Sequence, residues 1–225
     1  RAGPLKRKRH CCCFQAAGKM SLFPSALPIG SLQESKGDGM LAIIGLGNPG
    51  AAYENSRHNV GWKVLDILGK QYGITINKNR CKAQIGEGMA GGHRIALVKP
   101  QTYMNLSGDS VAAVMHWYKI QPEQTLILSD DIDLSAGAVR IRPHGGAGTH
   151  NGWRSIIAVT GSDRFPRIRI GVGAPPPGWD LKDWVLSGFG EDQDIMNDAF
   201  EHAAQAADCF IKNGIDLSMN RYNKR

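Results

Sequence analysis

Four short polar clusters stand out because each combines groups able to hold a proton, a carbonyl or an amide and each lies beside an apolar run. They are Asn48 with Arg57-His58-Asn59, Thr102-Tyr103-Met104-Asn105, Asp130-Asp131-Ile132-Asp133, and Thr149-His150-Asn151-Gly152. A histidine titrates near neutrality and can carry a proton in a reaction. An Asn amide donates and accepts at once without titrating. Taken singly, each residue has a plain structural reading. His58 reads as a helix-start histidine and Asn59 as a cap. Asp131 and Asp133 satisfy backbone in a turn, and His150 is a structural hydrogen-bonder rather than a second base. Met104, next to Asn105, reads as pocket lining. Four such clusters at loop positions of one sheet point to a shared site.

Other chemistries fail on spacing. Gly45-Leu46-Gly47-Asn48-Pro49-Gly50 follows an apolar run and matches G-x-G-x-x-G, the dinucleotide fingerprint. That site needs a helix opened by the third glycine and an acid ending the next strand. Here Gly50 leads into Ala51–Arg57, which lacks a helical apolar period, and Asp66 falls inside a predicted helix. Pro49 also removes an N–H that could face a phosphate. The turn is therefore read as a rigid strand end presenting Asn48. No G-x-S-x-G surrounds a serine, and no H-E-x-x-H or paired C-x-x-C supplies metal ligands, so neither a covalent serine nor a metal or other cofactor is invoked.

The elements that must position these clusters are legible from period. Residues 41–46 form a strand, and Val60, Val64, Leu65 and Leu68 mark a helix over about 59–72. Lys82–Gly88 and Arg94–Val98 are strands around the Gly91-Gly92 turn. A helix runs from Leu106 to Tyr118, then strands at Thr125–Leu128 and Val139–Arg142. A helix over 151–159, a strand at Arg167–Gly173 and a helix over about 191–213 follow. Strands alternating with helices imply an α/β fold, one globular domain with a twisted, mixed and largely parallel sheet and helices on both faces.

Of 225 residues, 27 are Lys or Arg and 20 Asp or Glu. Seven of the basic residues lie in 1–39 against Glu34 and Asp38, so the remaining chain is close to balanced. A nucleic-acid site must then be a local patch. Residues 1–39, rich in Ser, Gly, Pro and basic side chains, are expected to be a disordered extension, with the folded domain at 40–225. Sequence upstream of the true start, a transit peptide and a basic tail compete as its origin; dispensable sequence is the preferred reading. No apolar run approaches the roughly 20 residues of a membrane span. Cys81 and Cys209, far apart, suit a reducing compartment.

Together these residues resemble the bacterial-type peptidyl-tRNA hydrolases. The resemblance is carried by Gly45–Gly50, Tyr53, Arg57-His58-Asn59, Met104–Gly108, Asp130–Asp133, Gly148–Gly152, Arg167–Gly173, Trp184-Val185-Leu186 and Met219–Asn223. It spans about 40–225, in family order and spacing. Thr149, where Gly is commoner, and Tyr103, often Phe, are small departures. The resemblance implies hydrolysis of the ester joining a peptidyl group to the 3′ ribose of tRNA. His58 would be the base and Asp130 the carboxylate orienting it. Asn48, Asn105 and Asn151 would hold the peptide and reacting carbonyl, with Tyr53, Asn59, Tyr103 and Met104 in the substrate site. Arg140, Arg142 and Arg169 would contact tRNA phosphates, and residues 174–190 would form a flap. The partners implied are peptidyl-tRNA alone, with no membrane and no metal, for a monomer in the cytoplasm, or an organelle if residues 1–39 are a transit peptide.

The chemistry is consistent in itself. Water attack on an ester needs a base near neutrality, a carboxylate to fix its tautomer and a donor for the developing oxyanion. A non-catalytic RNA-binding protein on the same fold is the rival reading.

Overall fold

The computed structural model describes residues 39–223. The expected extension therefore lies, apart from Gly39, outside the described residues. In chain order the strands are β1 (Leu41–Gly45), β2 (Lys78–Arg80), β3 (Ala83–Ala90), β4 (His93–Pro100), β5 (Thr125–Asp131), β6 (Val139–Arg142) and β7 (Arg167–Gly171). The helices are α1 (Val60–Tyr72), α2 (Ser107–Tyr118), α3 (Asn151–Thr160), α4 (Leu181–Leu186), α5 (Gln193–Asn213) and α6 (Ile215–Tyr222). One seven-stranded sheet has the order β2-β3-β4-β1-β5-β7-β6. The four central strands run parallel, and β2, β3 and β6 join antiparallel at the edges.

The strand period of two divides the core. Ile43, Leu97, Leu126, Leu128, Ile168 and Ile170 pack against α1 and α5. Their neighbours Ala42, Ile44, Ala96, Val98 and Ile127 pack against α2 and α3 on the opposite face. Helices thus cover both faces, and the central strands read as unbroken apolar runs.

One close approach fixes the start of α1. A Cβ on Gly45 would lie 2.4 Å from the Gly61 carbonyl oxygen, and one on Gly61 would lie 2.7 Å from the Leu128 carbonyl oxygen. The fingerprint glycine therefore serves helix-on-strand contact, seating the first turn of α1 over the ends of β1 and β5.

Three elements were not anticipated. β2 is exposed at every position and has no apolar face to betray it. α4 is a six-residue helix within the segment read as a flap, and the eight-residue α6 buries only Ser218. β5 also runs past Leu128 to Asp131, because Asp130 and Asp131 pair with Ile170 and Gly171 of β7. Asp130 is consequently a strand residue, stiffer than a turn position.

Candidate active site

The carboxyl ends of β1, β4, β5 and β7 open onto one edge of the sheet, where open α/β sheets bind ligands. A cavity of about 840 Å³ lies there, and Asn48, Tyr53, His58, Tyr103, Met104, Asn105, Asp130, Asn151, Arg142 and Arg169 all line it.

His58 sits in a 3₁₀ turn, Arg57–Asn59, that runs directly into α1. Its Nδ1 lies 2.9 Å from both carboxylate oxygens of Asp130. The proton of a neutral ring is thereby placed on Nδ1, and Nε2 is the free lone pair of a cavity-wall residue. Burial alone would pull this imidazole down, but the Asp130 charge and hydrogen bond outweigh it and hold the ring above its ordinary value. Burial pushes the opposite way on Asp130, which is 3% exposed, yet the two imidazoles facing it keep its carboxyl far below the usual range.

His150 is the second of those imidazoles. Its Nε2 lies 2.9 Å from Asp130 Oδ1, while its Nδ1 accepts from the backbone N–H of Gly152 at 3.1 Å and of Trp153 at 3.3 Å. It is thus the N-cap of α3 as well as a donor to Asp130. The sequence identifies it as a structural hydrogen-bonder; its contact with Asp130, 20 residues away, carries no sequence signal.

Asn48 is 6% exposed and its amide is fixed, because Oδ1 accepts from the Met104 N–H at 2.8 Å. The side-chain NH2 is then the donor left for the cavity. Asn59, expected in the substrate site, lies behind the wall instead. Its amide accepts from the Asn48 N–H at 2.8 Å and donates to the Asn48 carbonyl at 3.0 Å, at 1% exposure. Both ends of the amide are spent on backbone, so it shapes the Asn48 turn and does not reach the cavity.

Tyr53 and Tyr103 stand edge to face, ring centres 6.4 Å apart, and Tyr103 is largely exposed. Asn105 lies in the 3₁₀ turn Met104–Leu106 and Asn151 opens α3. Met104 is buried, and a Cβ on Gly152 would lie 2.7 Å from its Sδ, so it packs the start of α3 as well as lining the cavity.

The arginines divide. Arg142 is exposed and Arg169 is paired with Asp131; both face the cavity. Arg140 does not line it, because its guanidinium is drawn to the Asn223 carbonyl at 3.3 Å, beyond α6. Arg167 is buried, 3.5 Å over the Trp153 ring, and donates to the carbonyls of Gly145 and Gly146. Burial and the neighbouring Arg169 bring it down to about 10. It therefore holds the glycine-rich loop that leads to His150. Lys182 of α4 is a further cation on the cavity wall, missed because Pro175-Pro176-Pro177 hid the short helix.

The expected flap is pinned at two of its three aromatics. Trp184 donates to the Gly173 carbonyl at 2.8 Å and Phe189 is 4% exposed, whereas Trp179 is open to solvent. Arg57 ties this segment to the histidine turn. Its N–H donates to the Ser187 carbonyl at 2.9 Å, and its guanidinium lies 3.8 Å over the Trp184 ring and 3.3 Å from Asp192.

Among the described residues, His58, Asp130 and His150 bring ligand atoms within 4.8 Å of one another. Two N–H donors on His150 Nδ1 put the ring proton on Nε2. Ligation there would move that proton to Nδ1, against both donors. The set fits a hydrogen-bond chain better than a metal shell. No described helix is long and apolar enough to cross a membrane.

The chain is 49% identical over 185 residues to a peptidyl-tRNA hydrolase of Alkaliphilus metalliredigens, covering 82% of this chain and 100% of the relative. It is 46% identical over 186 residues to that of Chloroflexus aggregans, covering 82% and 99%. A crystal structure of peptidyl-tRNA hydrolase from Acinetobacter baumannii superposes with a TM-score of 0.77 at 35% identity, covering 82% of this chain and 94% of that one. The family model described as peptidyl-tRNA hydrolase matches residues 42–225, and the chain belongs to that family.

Proposed function

We propose that this chain hydrolyses peptidyl-tRNA, cleaving the ester between the peptidyl carbonyl and the 3′ ribose oxygen and releasing free peptide and tRNA. The observation that carries the mechanism is the His58–Asp130 pair. A carboxylate on Nδ1 leaves the Nε2 lone pair facing a cavity beside a fixed amide donor.

His58 Nε2 takes a proton from water as the water oxygen attacks the ester carbon. Asp130 stabilises the imidazolium that forms. The oxyanion of the tetrahedral intermediate is received by the Asn48 NH2, a role that elsewhere contributes about 10²–10³ in rate. The imidazolium then returns its proton to the departing ribose oxygen, so His58 leaves the cycle as it entered.

Asn105 and Asn151 hold peptide backbone, which suits a substrate whose side chains vary. Tyr53, Tyr103 and Met104 form the wall beside them. Arg142, Arg169 and Lys182, which line the same cavity, take tRNA phosphates, contacts that dominate affinity and carry little sequence information. A monomer acting in the cytoplasm is part of the same reading; the thiols of Cys81 and Cys209 suit a reducing compartment.

The test is release of peptide from an N-blocked aminoacyl-tRNA by wild type and His58→Ala. Activity in wild type with loss in the variant is expected. Full activity in His58→Ala would overturn the mechanism, and an inactive wild type would favour the RNA-binding rival.

A further inference from the structure

Two imidazoles share one buried charge. His58 Nδ1 lies 2.9 Å from both oxygens of Asp130, and His150 Nε2 lies 2.9 Å from Oδ1. The ring centres of the two histidines are 5.3 Å apart. The donor on the His150 side cannot turn away, because the N–H groups of Gly152 and Trp153 occupy its Nδ1. A fixed N–H donor stabilises the charged carboxylate and weakens its hold on a second proton.

We propose that His150 is a positioning residue for the general base: by occupying one oxygen of Asp130 it aims the carboxylate and limits how strongly that carboxylate draws a proton onto His58. A base must be unprotonated to act, so the pair Asp130–His58 alone would orient the ring well and over-protonate it. The third member corrects this. The inference rests on the reading of His58 as the base and deepens it, since it assigns to His150 the setting of the pH at which that base is available.

The remaining charged groups around His58 are committed or unbonded to it. From its own turn, Arg57 is held by Asp192 and Trp184. From α1, Lys63 donates to Asn55. From α4, which packs on the turn, come Asp180, Lys182 and Asp183. Asp133, Arg142, His144, Arg167 and the Arg169–Asp131 pair line the same cavity. Replacing His150 leaves this set in place and removes the donor on Asp130 together with the ring beside His58.

His150→Asn separates the roles, because a shorter amide can still accept at the N-cap of α3 but cannot reach Asp130. In the full chain, the His58 ring is titrated by NMR and kcat/KM is followed against pH. His58 in His150→Asn should titrate higher than in wild type by about 0.5–1 pH unit. The acid limb of kcat/KM should move with it, with activity at neutral pH down about three- to tenfold and recovered at higher pH. The thermal midpoint should stay near wild type. His150→Gln, long enough to cap and to donate to Asp130, should restore the wild-type titration, and it serves if His150→Asn does not fold. An unchanged or lowered His58 titration, or an equal loss of activity at every pH, would overturn the proposal. The NMR readout needs no turnover, so the coupling is decided even if His58→Ala shows that His58 is not the base.

Discussion

Asn59 grips Asn48 from behind, accepting its N–H at 2.8 Å and donating to its carbonyl at 3.0 Å, so one side chain closes both backbone groups of the residue that presents the cavity amide. Replacing it by Ala strands a buried N–H and a buried carbonyl, at about 1–3 kcal/mol for each unsatisfied group. Asn59→Ala should lower the urea midpoint clearly and reduce kcat more than it raises KM. An unaltered midpoint would show that water or a neighbour replaces the clamp.

Asn48→Asp isolates the free donor. The carboxylate oxygen still accepts the Met104 N–H, so the turn is kept, but no NH2 remains to meet an oxyanion. The expected loss in kcat is about 10²–10³ with a far-UV spectrum like wild type. A loss confined to KM would place Asn48 in substrate holding alone.

Asp130→Asn removes what lifts the His58 ring while leaving the burial that depresses it. The acid limb of kcat/KM should therefore move to lower pH, with a lower plateau. The sign for stability follows from the same two shifts. His58 is raised in the fold, so its contribution is full below about pH 6.5 and is lost as pH rises through its folded value. Asp130 is lowered, so its contribution is present above about pH 3.9 and is lost as pH falls. Unfolding free energy of wild type minus Asp130→Asn should be greatest between these limits; a difference flat from acid to alkaline pH would show that the pair adds no linkage.

Arg142→Ala should raise KM for a full tRNA substrate and flatten its dependence on salt, because a phosphate contact releases a counterion. Arg140→Ala, whose guanidinium is turned to the chain end, should leave both unchanged. Equal salt slopes for Arg142→Ala and wild type would remove Arg142 from the phosphate set.

Much of this site could be read from the chain, for a definite reason. His58, Asp130, Asn48, Asn105 and Asn151 each stand where an apolar run stops or starts, and such boundaries in an open α/β sheet converge on one edge. Direction was harder. Alternation places Arg140 and Arg142 on one face of β6, yet Asn223, 83 positions on from Arg140, takes one of them away. Asn59 and Asn48 are the same residue type in the same cluster, and only packing decides which amide faces the cavity. The share of Asp130 taken by His150, and the cavity-facing helix α4, likewise arise from contacts that leave no period in the sequence.

The bond from the Arg57 N–H to the Ser187 carbonyl gives the segment around α4 a second meaning. Its inner side walls the substrate cavity through Leu181, Lys182 and Val185. Its other contacts, through Ser187 and Trp184, hold the turn that carries His58. A fragment ending at Gly173 would keep His58, Asp130, Asn48, Asn105 and Asn151 and lose what anchors the His58 turn. What must be inherited together is therefore longer than any roll of catalytic side chains, and a substitution between 181 and 192 that touches no substrate can still silence the histidine.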